Sequence, residues 1–161
     1  MSSSATEGTA HLNLDRIAAK RGQAIVSRHL AEADKLDREV TKLLAVTQEH
    51  GVYAGFLYLY AKTEKKYVPT IRDELFGLLR EDLASIPTVP HDLEVWHWAK
   101  VSNALTAEDG LLSNLDRLFL VKDLIEQTLV YARFGAKAAT EENDSKKERR
   151  EEPPGDGSAP K

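Results

Sequence analysis

The chain has 161 residues, enough for one domain and hardly two. It has no cysteine, which excludes a disulfide framework, a cysteine-based zinc site and a thiol nucleophile, while 42% apolar residues are ample for a core. A net charge of −4 argues against a chain that is basic throughout, but residues 12–72 hold 11 Lys/Arg against 7 Asp/Glu and residues 73–132 hold 4 against 11.

The first eleven residues are polar and Ser/Thr/Gly-rich and read as a flexible N-terminus without a secretory signal. Asn13 can cap a helix with apolar positions Leu14, Ile17, Ala18, Ile25, Leu30 and Ala33, continued by Leu36, Val40, Leu43, Leu44 and Thr47. A break near Asp34 is possible, although nothing there forces one. Gly51 suits a helix stop. Val52–Lys62 is almost wholly apolar. Without a partner strand it reads as a short buried helix, and it is too short to cross a bilayer.

Pro69 opens a helix marked by Ile71, Leu75, Leu78, Leu79 and Leu83. Pro87 and Pro90 punctuate a loop. Leu93, Trp96, Ala99, Val101 and Leu105 predict another helix, and Leu115, Leu118, Phe119, Ile125, Leu129 and Ala132 a long central one. From Thr140 onward no aliphatic residue exceeds alanine, and 140–161 reads as a disordered charged tail. The expectation is a soluble, cytoplasmic, all-α bundle of about six helices over 12–139.

Catalytic patterns are missing. The five histidines form no HxxxH or HExxH pair, and no GxSxG elbow or phosphate-binding glycine loop occurs. The carboxylate pairs Asp73–Glu74, Glu81–Asp82 and Glu108–Asp109 diverge by about 100° on a helix, so each reads as a solvated face. We therefore expect no enzyme, no metal and no cofactor.

Cations are the more informative feature. Arg21, Arg28 and Lys35 recur every seven residues and form one stripe if their helix is continuous. Such a stripe can follow a phosphate backbone, although Glu32 and Glu39, at i+4, would equally make it a salt-bridged surface. Lys62, Lys65 and Lys66 form a second cluster, and Arg133 with Lys137 a third. Both lie near helix ends, where cations also complement the dipole. Tyr53, Tyr58, Tyr60 and Tyr67 can stack on bases, but in a bundle they belong more naturally to the core.

The order of these features resembles the small α-helical subunit of type III-B CRISPR effector complexes, the Cmr complexes. In that family an apolar helix ends in an Asn-Gly-Leu-like turn, and the next ends in a lysine. His50, Gly51, Val52 and Lys62 stand at those places, and Leu129, Arg133, Phe134, Gly135, Lys137 and Ala138 resemble the family's closing helix. Two departures are His50 for the Asn-like residue and Gly135 for alanine. The Csm complex has an analogous subunit. The resemblance covers roughly residues 12–139.

It implies a non-catalytic scaffold in antiviral defence. Copies would stack head-to-tail beside the backbone subunits, line the groove that holds crRNA and target RNA, and contact the large polymerase-like subunit. Phosphates would be met by Arg21, Arg28, Lys35, Lys62, Arg133 and Lys137 without base readout. The competing expectation is a helical protein–protein adaptor or regulator that uses the acidic stretch 73–132 and binds no nucleic acid.

Overall fold

The computed structural model describes residues 12–153 and 155. All regular structure among them is helical: α1 (Leu14–Ser27), α2 (Ala33–His50), α3 (Val52–Ala61), α4 (Val68–Gly77), α5 (Trp98–Thr106) and α6 (Leu115–Glu151). Short 3₁₀ turns precede α2 and α6, and α4 runs into a π-turn over Leu78–Asp82. None of these helices is long and apolar enough to cross a membrane. The flexible terminus expected at 1–11 lies outside the described residues.

Local capping follows the sequence. The Asn13 side chain accepts from the Arg16 amide at 3.0 Å, and Asn114 accepts from the Arg117 amide at 3.0 Å. Gly51 ends α2 with φ of 93°. Its amide donates to Thr47 O at 2.9 Å, and the chain then turns directly into α3.

The break that the sequence leaves open near Asp34 is present, and it falls at Arg28–Glu32. The reason is α6, whose 37 residues extend about 55 Å. Gly22 abuts the α6 backbone at Thr128–Ala132, and Val26 meets Gly135, so α1 runs parallel to α6. Asp37 meets Arg133, while Leu43 and Thr47 share a small apolar space with Ile125, so α2 returns antiparallel. Folding back lets both amphipathic halves bury against one central helix. One straight helix would leave half of that apolar surface in water.

Helix α4 lies antiparallel on α1, with Thr70 beside His29 and Glu74 beside Arg21. Phe56 of α3 and Phe76 of α4 pack with ring centroids 5.0 Å apart in the core. The expected helix from Leu93 begins only at Trp98. The carbonyls of Leu93 and Val95 accept instead from Arg80 and from the Tyr60 hydroxyl, which holds that strip irregular and leaves Trp96 exposed.

At the other end α6 does not stop at 139. Residues 140–151 continue it, so the tail expected over 140–161 is helical in its first half. The Asn143 side chain donates to Leu30 O at 2.9 Å, tying this extension to the α1–α2 turn.

Candidate nucleic-acid interface

Arg21 does not face outward. Its side chain is 18% exposed and its guanidinium is fully engaged: Nε donates to Asp82 at 2.6 Å, Nη1 to Glu74 at 2.9 Å and Nη2 to Glu81 at 2.9 Å. Burial alone would lower its pKa, but the hydrogen bonds to Asp82, Glu74 and Glu81 outweigh this and raise it. The π-turn is what brings Glu81 and Asp82 onto one cation, since on a regular helix adjacent side chains diverge. Two expectations are corrected here. Arg21 is a structural tie rather than a phosphate ligand, and Glu81–Asp82 is not merely a solvated face. An open recess of about 650 Å³ lies beside this tie, and Arg16 and Lys20 line it together with the same three carboxylates.

Break and tie together dissolve the Arg21–Arg28–Lys35 stripe. Arg28, at the end of α1, is 56% exposed and lies 3.3 Å from Glu74. Lys35 sits on α2, 3.5 Å from Glu32. Glu32 also accepts from Lys66 of the α3–α4 loop at 2.5 Å. The hydrogen bond from Lys66 lowers the Glu32 pKa, and Glu32 in turn raises that of Lys66. Arg28, Lys35 and Lys66 thus meet at one end of the bundle. The exposed Lys62 and Lys65 belong to the same loop, and the Lys62 amide caps α3 by donating to Tyr58 O at 3.1 Å.

The third predicted cluster lies on α6. Arg133 Nε is 3.7 Å from Asp37, and this buried nitrogen has no hydrogen-bond partner. Lys137 is exposed with its ammonium 5.7 Å from the centre of the Phe134 ring, itself 60% exposed. This pair is separate from the Arg28–Lys35–Lys66 group.

The tyrosines are internal fittings rather than stacking platforms. Tyr53 shares a hydrogen bond with Ser102, Tyr58 donates to the buried Glu39 at 2.7 Å, Tyr60 donates to Val95 O, and Tyr67 packs edge-on against His29. Among the described residues no group of three or more His, Cys, Asp or Glu side chains is placed to hold a metal.

Sequence reasoning missed one set of cations. Lys146, Lys147 and Arg150 lie in the segment expected to be disordered, and with Asn143 they border an open recess of about 300 Å³ against Ala31 of the α1–α2 turn. Their spacing of three and four residues carried the signal, had the segment been read as helix.

No family model, curated protein or solved structure matches this chain.

Proposed function

We propose that this chain is a non-catalytic small subunit of a type III CRISPR ribonucleoprotein effector complex, holding the phosphate backbone of crRNA or target RNA through exposed cations. The observation that carries the reading is the convergence of Arg28, Lys35 and Lys66 at one end of the bundle. Lys35 and Lys66 share the half-buried carboxylate of the turn, Glu32, and Arg28 leans on Glu74 at the end of α1, beside the loop that carries Lys62 and Lys65. Phosphate contacts of this kind fix position without reading bases. Two features of the resemblance occupy structurally defined places: Gly51 at the α2–α3 turn and Lys62 at the end of α3. Lys137 and Phe134 supply a second exposed contact point, where Arg133 is held by Asp37.

The chain's opposite charges are partly spent within it, because Arg21 and Arg28 of the basic half bind Glu74, Glu81 and Asp82 of the acidic half. Head-to-tail stacking would therefore draw on apolar as well as charged contacts. Leu115 and Phe119, one turn apart on α6, are 64% and 58% exposed. The same pair favours the second reading, a helical adaptor that binds another protein and no RNA.

Affinity purification from the native cell decides between them. Recovery of an RNA-bearing complex, lost when Arg28, Lys35 and Lys66 are all changed to alanine, supports the effector reading. A folded wild-type chain that brings down protein without RNA supports the adaptor.

A further inference from the structure

We infer that the C-terminal extension of α6 is a second RNA-backbone contact, in which Lys146, Lys147 and Arg150 continue the phosphate path begun by Arg28, Lys35 and Lys66. The inference rests on the RNA-binding reading above. It starts from a change of chemistry along one helical face. On α6 the buried residues Ala132, Ala136 and Ala139 recur at steps of three and four and face the α1–α2 hairpin. The same steps continue to Asn143, Lys146, Lys147 and Arg150. Where the hairpin ends, at Leu30–Glu32, the seam turns from alanine to cation.

The face is built. Asn143 anchors it by donating to Leu30 O, and Ala31 forms a small apolar floor beneath the three cations. Lys146 is paired with Glu142 at 3.1 Å, both side chains well exposed, which is a contact that costs little to exchange for a phosphate. Glu141 and Glu148 point to the other side of the helix by their spacing, about one helix diameter away, while Asp144 and Glu151, three and four residues from Lys147, flank that cation as exposed neighbours a phosphate can replace at little cost. Ala31 adjoins Glu32, the residue that Lys35 and Lys66 share, so the two cationic groups meet at the turn.

RNA fits this face better than an acidic protein does. From Asn143 to Arg150 the face spans two turns, about 10 Å, or about three base-pair steps of a duplex. It offers long cations and no aromatic or large aliphatic anchor, whereas protein interfaces are depleted in lysine and built around such anchors.

The test uses the full chain, a labelled RNA hairpin and fluorescence anisotropy from about 0.05 to 0.3 M salt. The variant Lys146→Ala/Lys147→Ala/Arg150→Ala should bind about five-fold or more weakly near physiological salt. Its logarithmic salt slope should fall by about two, as expected for three lost phosphate contacts at 0.7–0.9 each. The variant Glu141→Gln/Asp144→Asn/Glu148→Gln should bind as well as wild type or better. If the first variant, shown folded by circular dichroism, binds like wild type while Arg28→Ala/Lys35→Ala/Lys66→Ala is weakened, the extension is not an RNA contact and the RNA-binding reading stands. If wild-type chain binds no RNA, both fail. If polyglutamate binds as tightly as RNA with the same dependence on Lys146, Lys147 and Arg150, the face is an acidic-protein site and the inference is overturned.

Discussion

Arg21 and Glu74 stand 53 positions apart in the chain, yet Arg21 Nη1 lies 2.9 Å from Glu74 Oε2, and the Glu74 side chain is only 8% exposed. This pair joins α1 to α4, and the π-turn adds Glu81 and Asp82 to it. Removing the guanidinium would leave the Glu74 carboxylate buried with only Arg28 beside it. We expect Arg21→Ala to destabilise the fold by about 2–3 kcal/mol, below the usual cost of breaking a fully buried pair because Glu81 is exposed. Arg21→Lys should recover only part of this, since one ammonium cannot reproduce the three-way fork. Urea denaturation checks both, and an Arg21→Ala midpoint equal to wild type would show the tie to be incidental.

Two glycines are required for different reasons. At Gly51 a Cβ would meet nothing within 4 Å, so the cost of Gly51→Val is backbone strain at φ of 93°, about 1 kcal/mol or more. At Gly22 a Cβ would lie 3.0 Å from Tyr131 Cβ and 3.1 Å from the α6 backbone. Pushing α1 off α6 should cost about 1–3 kcal/mol, against about 1 kcal/mol of helix propensity gained, so Gly22→Ala should destabilise by up to about 2 kcal/mol net. Thermal melts of the two variants measure this, and a Gly22→Ala variant stabilised by the full amount, about 1 kcal/mol, that alanine adds in helix propensity would mean that the helices part without cost.

His29 makes the fold sensitive to mild acid. Burial lowers its pKa from the ordinary 6.5, and Lys66 and Arg28 lower it further, with Glu32 opposing. The ring nitrogen bonds Thr70 at 2.8 Å. A base whose folded pKa is depressed is harder to protonate when folded. The stability it contributes is complete above pH 6.5 and is lost as pH falls through the lower folded value. We expect the melting temperature to drop as pH is lowered below about 6.5, and His29→Gln to flatten that part of the profile. An unaltered profile in the variant would assign the drop to other groups.

The α6 extension predicts a graded response to truncation. Deleting 152–161 should leave the melting temperature unchanged. Deleting 140–161 also removes the Asn143 hydrogen bond and the helical turns over the α1–α2 junction. At about 1 kcal/mol for such a bond, the loss should be about 3–6 °C. Equal melting temperatures for the two truncations would show that the extension does not dock.

The sequence by itself determined the helical class, the stop at Gly51, the cap at Asn13 and the central place of the helix running through Leu115. Each of these is a local matter of apolar period, caps and backbone freedom. What only the tertiary structure decided were the break at Arg28–Glu32, the late start of α5 and the fate of each cation. The break arises because two amphipathic segments share α6, which no local signal near Asp34 records. Helix α5 starts late because Arg80 and Tyr60, far away in sequence, hold the carbonyls of Leu93 and Val95. Arg21 and Arg28 look alike as letters seven apart. One is consumed by three carboxylates from α4 and its π-turn and the other remains more than half exposed, because a charge's role depends on which opposite charges folding brings to it. Lys146, Lys147 and Arg150 were legible only as composition, and that composition reads as disorder. Continuity with the packed seam of α6 is what orders them.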